Sequence, residues 1–449
     1  MKPKNILKYL MFAFLAVYVL GACSNSTEAD QIFDETPSER LSAQKKELND
    51  ALLSSEFGWK AVYFTDDTQL GGFTHLFKFS AGGKVVMASD FDDDVLAHES
   101  EYDVVLGSTV SVVFTTFNKI HLLSDSDNYP TSALRGKGYL GDFQFLYYGQ
   151  ENGDLVFKSN RLVREVRFVK ATQQDWTDLA KNLVTEENLV GGIDKPLFKL
   201  LEINDGKSIK KYEFGYNPLS RYSSSSSLDA GSSEVVSMGI GYTPTGLVVS
   251  PALKVAGQSL TNFVYDEDSE SFTAKGTGGV SVEIKYSNAP LFLTDDYKIL
   301  LPGNPHAWFG YYVGDYTEDA PTNSELFIKE LAGINASLPA GVTITSVQLY
   351  LNHPLGNFIY YTFEGRSAIF HYINVTEDSV GKKVILSHKS WNGNTVVATP
   401  AFLKEFDKHL VNASGVYVKR ENFKLYYTEP VYTFTSASSS FRMTTWKLN

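Results

Sequence analysis

From Trp59 to the end of the chain, apolar residues recur mostly at every second position, in short runs broken by Gly, Asp, Asn and Ser. That alternation marks strands with one face on a core. "WKAVYFT", "FTHLFKFS", "KVVMAS", "VSVVFTTF", "FQFLYYG", "DLVFKS" and "LVREVRFV" follow one another closely. The links between them are too short for crossover helices, so an antiparallel meander is expected. The style repeats in "KKYEFGY", "SEVVSMGIGY", "GLVVSP", "NFVYDED", "SFTAKG" and "VSVEIKYS". It continues through "VQLYLNH", "NFIYYTFEG", "AIFHYINV", "KVILSHKS", "GVYVKR", "FKLYYT" and "FRMTTWKLN". Ser223 to Ser227 reads as a loop tip.

Three segments change to a helical period. Thr36-Pro37-Ser38-Glu39 is a capping box with proline in the first turn, followed by Leu41, Leu48 and Leu52 on one face and Gly58 beyond the end. Thr172 to Asp175 caps a second helix with Trp176, Leu179, Ala180, Leu183 and Val184. The third starts at Thr399-Pro400, with Phe402, Phe406 and Leu410 spaced by four. The expected fold is mainly β, as two antiparallel β-rich halves, barrel- or sandwich-like, each carrying a packed helix. "GGIDKP", residues 191–196, is the expected boundary between them.

Ahead of all this lies the one long apolar run, Tyr9 to Leu20, behind Lys2, Lys4 and Lys8 and before Leu20-Gly21-Ala22-Cys23. A charged start, an apolar stretch too short to span a bilayer and small residues before a cysteine read as a lipoprotein signal peptide. Cys23 is the only cysteine of the 449 residues, and lipidation is expected there. Burial of each lipid methylene contributes about 0.8 kcal/mol, so several acyl chains anchor where one would not. The expected division is therefore 1–22 signal peptide, 23–35 lipidated tether, 36–190 helix plus antiparallel β domain, and 191–449 β-rich region with one late helix. Ser24 after the cysteine resembles the sorting of outer-membrane lipoproteins; which face of that membrane is left open. Removing residues 1–22 takes away three lysines and no acid, moving the net charge from −12 to −15. An acidic chain argues against nucleic acid, or an anionic membrane surface, as the main partner. The lipid is then the expected tie to the membrane.

Phe33-Asp34, Glu39-Arg40-Leu41, Gly58-Trp59, Gly71-Gly72-Phe73, Phe79 and Lys84-Val85-Val86-Met87 resemble the Bacteroidetes lipoproteins grouped as the domain of unknown function 4302. "YTPTGLVVSP" and "FVYDEDSESFTA" resemble that family as well. The resemblance implies a cell-envelope lipoprotein, with outer-membrane import proteins or a neighbouring zinc metallopeptidase as partners. It implies no activity and no catalytic residues. Gly58-Trp59 at the head of the first strand also resembles lipocalin-type barrels, which use Gly-x-Trp.

Candidate chemistry is sparse. Gly136 to Gly141 matches a dinucleotide fingerprint in form, but "DFQFLYY" after it reads as a strand where a helix is required. The eight histidines are scattered without His-Glu-x-x-His, and Gly-x-Ser-x-Gly is absent from the sequence. No catalytic residue, metal or cofactor is expected. The acidic groups Asp90, Asp92, Asp93, Asp94 and Asp266, Glu267, Asp268, Glu270 offer calcium-type oxygens, with solvated hairpin tips as the plainer reading. In "NPHAWFGYYVGDY", an extended strand would put Trp308, Tyr312 and Tyr316 on one face, with Gly310 and Gly314 leaving room between the rings. Those three are the expected ligand-binding residues, for a flat ligand such as a sugar ring. The alternative is a central strand with both faces buried. The expected function is a non-catalytic ligand- or partner-binding accessory in nutrient acquisition. The alternatives are a glycan or peptide hydrolase and a structural or adhesive surface protein.

Overall fold

In the computed structural model, residues 36–107, 109–392 and 398–448 are described. The signal segment, Cys23 and the tether to residue 35 lie outside the described residues. None of the described helices is long and apolar enough to cross a membrane.

The first helix, α1 (Pro37–Leu53), starts at the expected box: the Glu39 amide donates to Thr36 Oγ1 at 3.3 Å, and the Thr36 amide donates to Glu39 Oε2 at 2.8 Å. Its Leu48 and Leu52 are fully buried against the first sheet. Trp59 Nε1 donates to the Leu52 carbonyl at 3.0 Å, tying the helix end to the strand that follows.

Eight antiparallel strands then close into a barrel: β1 (Trp59–Phe64), β2 (Gly72–Ser80), β3 (Lys84–Ser89), β4 (His98–Leu106), β5 (Val110–Phe114), β6 (Gln144–Glu151), β7 (Asp154–Ser159) and β8 (Glu165–Lys170). Trp59 pairs with Phe77 on one side and Lys170 on the other, so no edge of this sheet is left open. Two short helices, α2 (Gln173–Asp178) and α3 (Lys181–Val190), stand where one was expected.

After "GGIDKP" comes a second sheet of β9 (Phe198–Asp205), β10 (Ile209–Glu213), β11 (Tyr216–Asn217), β12 (Tyr222–Ser227), β13 (Val235–Thr243), β14 (Gly246–Val255), β15 (Gln258–Asp266), β16 (Ser271–Lys275) and β17 (Val280–Ser287). Pairing of β10 with β12, Tyr212 opposite Ser227, joins its two ends into a ring of eight, with β11 as a two-residue appendage. The serine run is therefore a strand and not a loop tip. Ser223 and Ser225 are fully buried and their hydroxyls lie 3.1 Å apart, so small side chains satisfy each other inside the sheet.

A third ring is built from β18 (Ala307–Tyr312), β19 (Thr343–Leu351), β20 (Phe358–Glu364), β21 (Ile369–Asp378), β22 (Lys383–Trp391), β23 (Val416–Arg420), β24 (Val431–Ser436) and β25 (Arg442–Leu448), closed by β18 against β25. Helix α4 (Glu325–Ala336) sends Leu326, Phe327, Leu331 and Ile334 into its core, and α5 (Lys404–Leu410) adds Phe406 and Leu410. The mainly antiparallel β class holds, but the described chain carries three β units rather than two halves. Ring closure pairs strands far apart in sequence, which alternation along the chain cannot show. "FKLYYT" is a loop, with Tyr426 at φ +58°.

Candidate functional site

The strand β18 separates its side chains as a pleat must. Ala307, Phe309 and Tyr311 are buried in the third barrel, whereas Trp308, Gly310 and Tyr312 face outward. Trp308 lies opposite Tyr350 of β19, Tyr350 opposite Phe358 of β20, and Phe358 opposite Tyr372 of β21. A second row, one pleat along, runs from Trp446 of β25 through Gly310 and Gln348 to Tyr360 and Phe370. Five neighbouring strands thus carry an aromatic outer wall across about 19 Å at the usual strand spacing, in which Phe358 and Trp446 are each only 3% exposed.

The rings lean on one another. Trp308 stacks on Tyr350 at 5.2 Å and Tyr350 on Phe358 at 4.9 Å, with interplanar angles of 18° and 19°. Tyr360 and Phe370 are 4.6 Å apart. Gln348 fixes the centre: its Oε1 accepts from Trp308 Nε1 at 2.9 Å and from the Tyr350 hydroxyl at 3.0 Å. Trp308, Tyr312, Tyr350, Tyr360, Phe370 and Tyr372 are all half-buried. Burial pushes the Tyr312 phenol up to about 12, so it stays a neutral donor at physiological pH.

The expected residues are only partly gathered here. Trp308 and Tyr312 share the outer face. Tyr316 lies beyond the strand, which ends at Tyr312, and stacks at 4.3 Å on Tyr426; Tyr427 bridges edge-on from Tyr316 to Trp446. The space over Gly310 is not open, because the Tyr312 ring folds back across it, within 2.6 Å of where a Cβ would stand. Nor is β18 buried on both faces. Tyr350, Phe358, Tyr360, Phe370, Tyr372 and Trp446 were not anticipated. Their signal is aromatic residues at the positions of "VQLYLNH", "NFIYYTFEG", "AIFHYINV" and "FRMTTWKLN" that alternation assigns to the outer face.

A second constellation lies inside the same barrel. The Tyr361 hydroxyl donates to Asp407 Oδ1 at 2.7 Å, and His371 Nδ1 meets the same oxygen at 2.7 Å. His371 Nε2 lies 2.8 Å from Nδ1 of the exposed His388. A carboxylate only accepts, so His371 Nδ1 is the donor to Asp407; which ring donates between His371 Nε2 and His388 Nδ1 is set by the tautomer. A bulge at Lys389 shifts the register of β22 and aims His388 this way. Burial and the neighbouring His371 ring hold His388 below the ordinary histidine range. Among the described residues no group of three or more His, Cys, Asp or Glu side chains is placed to hold a metal ion. The acidic run of the first barrel is spent on ion pairs: Asp90 on Arg221, Asp92 and Asp94 on Lys119.

A family model matches residues 29–267, more than half of the chain. The chain belongs to that family, described as Domain of unknown function (DUF4302). The DUF4302 match spans the first barrel and the second sheet as far as β15, and the aromatic wall lies beyond it. No curated protein matches the chain. Among solved structures it is similar to the DNA polymerase sliding clamp from Bacillus subtilis, at 10% identity over 92% of this chain and 97% of that one. The TM-score is 0.17, and this likeness carries no weight for fold or function.

Proposed function

We propose that this protein is an outer-membrane lipoprotein, anchored through Cys23, that serves nutrient acquisition as a non-catalytic binding accessory. Its ligand is a glycan chain, laid along the outer wall of the third barrel. The observation that carries this reading is the aromatic wall from Trp308 to Phe370 and Tyr372. Aromatic faces offer apolar area to the C–H faces of sugars, while Tyr hydroxyls and Gln348 supply polar partners at the edges. The rings are held by one another and by Gln348, so little ordering entropy is lost on binding. In the cell, outer-membrane import proteins would receive what the wall captures.

The test is capture of labelled oligosaccharides from a panel of plant and animal glycans, by chain with residues 1–23 removed. Capture by the unaltered wall, with loss in Trp308→Ala and Tyr350→Ala variants that still fold, supports the reading. Equal capture by those variants ends it. Labelling with a fatty-acid analogue tests the anchor, and undiminished labelling of Cys23→Ser would end that part. A second reading, a hydrolase of glycan or peptide, has the exposed His388 imidazole, backed by His371 and Asp407, in its favour. Hydrolysis abolished by His388→Ala, with glycan capture intact, would replace the first reading.

A further inference from the structure

The second and third barrels meet along a seam, where the Ser440 hydroxyl donates to the Ile193 carbonyl of the linker and the Arg442 guanidinium stands 6.0 Å from the Phe198 ring of β9. A cleft of about 350 Å³ opens there, with Lys199 of β9, Tyr286 of β17 and Arg442 of β25 in its walls. Lys199 and Arg442 are both half-buried, and among the described residues neither forms an ion pair with a carboxylate. Lys199 donates to the Val190 carbonyl at 2.6 Å and stands over the Tyr286 ring. Arg442 donates from Nε to the Thr322 carbonyl and stands over the Phe198 ring, and among the described residues its two terminal nitrogens make no hydrogen bond. Glu421, the carboxylate whose field reaches Arg442, is already held by Lys419 at 3.0 Å and by the Thr433 hydroxyl at 2.8 Å.

Both cations lose hydration in the cleft, and among the described residues neither has a carboxylate in direct contact to offset that cost. The effect shows in Lys199, whose ammonium is held down to about 8 by burial. Lys195 in the same cleft is paired with Glu270, and the exposed Glu325 at the start of α4 is the one other acid in the wall. A flat guanidinium fork and an ammonium lining one cleft form a donor set that suits an oxyanion. Leu197, Leu326 and the Tyr286 ring give the cleft an apolar side.

We propose that this cleft is a second binding site, separate from the aromatic wall, for a small ligand with a carboxylate or phosphate head on an apolar body. The head sits between the Arg442 fork and the Lys199 ammonium, and the body lies on Tyr286.

The test is titration of the non-lipidated chain with benzoate, inorganic phosphate and neutral benzamide, followed by chemical-shift or calorimetric change. Saturable binding of benzoate or phosphate at or below about 10 mM, with benzamide at least tenfold weaker, is expected. Benzoate alone would identify a carboxylate head and phosphate alone a phosphate head. Lys199→Gln should weaken binding about tenfold, Lys199→Arg should retain it, and Arg442→Lys should weaken it through loss of the fork. Glu325→Gln should leave it equal or tighter. Arg442 also joins β25 to α4, so Lys199→Gln, whose main-chain pairing is unaffected, is the deciding variant. Failure of both anions to bind at about 10 mM overturns the proposal. So does unchanged binding in a folded Lys199→Gln protein.

Discussion

Arg221 Nη1 stands 3.1 Å from Asp90 Oδ1, and this ion pair, with Arg221 3% and Asp90 0% exposed, ties the second sheet to the first barrel. The guanidinium is packed between the rings of Phe73 and Tyr242, at 4.2 and 4.3 Å. Asp90 also accepts from Asn182 Nδ2 at 2.8 Å and from the Thr74 amide at 2.8 Å. Close backbone approach makes the contact, since a Cβ on Gly71 would lie 2.3 Å from the Arg221 carbonyl oxygen. Breaking one side of a buried pair strands the other charge. Asp90→Ala should therefore cost about 3–5 kcal/mol, read as a lowered urea midpoint. A loss under about 1 kcal/mol would mean that the pair does not hold the two units together.

His75 faces the first barrel's interior fully buried, and neither ring nitrogen has a hydrogen-bond partner among the described residues. Burial, then the charge of Arg221, holds it neutral down to about pH 3. The unfolded chain titrates near 6.5, so between pH 6.5 and 3 it binds the extra proton. Stability should fall as pH drops through that window, by up to about 1.4 kcal/mol per pH unit from this ring. His75→Leu should flatten that part of the melting temperature curve. Parallel curves for the two proteins would remove His75 as a cause.

On α1 the buried leucines and the cap can be weighed against each other. Leu48→Ala should cost about 2–5 kcal/mol, and Thr36→Ala about 1 kcal/mol. Thermal melting of the two variants should show the first dropping further. The reverse order would mean that the helix docks weakly and is held by its capping box.

Trp308 and Phe309 are neighbours in β18 that face opposite ways. Phe309 is fully buried, and its replacement by Ala should cost about 3–5 kcal/mol. Trp308 is half-buried, so Trp308→Ala should cost less than half of that while removing glycan capture. Equal destabilisation by the two would assign Trp308 to the barrel's support.

Much of this protein is written locally. The capping boxes at Thr36 and Thr172, the alternation in β1 to β3 and β5 to β8, and the turn before β9 are decided by residues within a few positions of each other, whereas β4, with its charged HESEYD start, carries no such signal. Such features follow from backbone geometry and can be read along the chain. Alternation also told that Phe309 and Trp308 point opposite ways. It could not tell that the face of Trp308 continues through Tyr350, Phe358 and Tyr372, because those rings become neighbours only through strand register. The serine strand was hidden for a related reason: Ser223 and Ser225 carry no hydrophobic signal, and the β12 pairing with β10 and β13 alone makes them a sheet interior. The third ring, the Asp407–His371–His388 chain, the Arg221 clamp and the cleft of Lys199 and Arg442 all bring together residues from distant strands. Only ring closure and the packing of one barrel on the next decide such contacts, since hydrogen bonds and desolvation act on distance in space and not on separation along the chain.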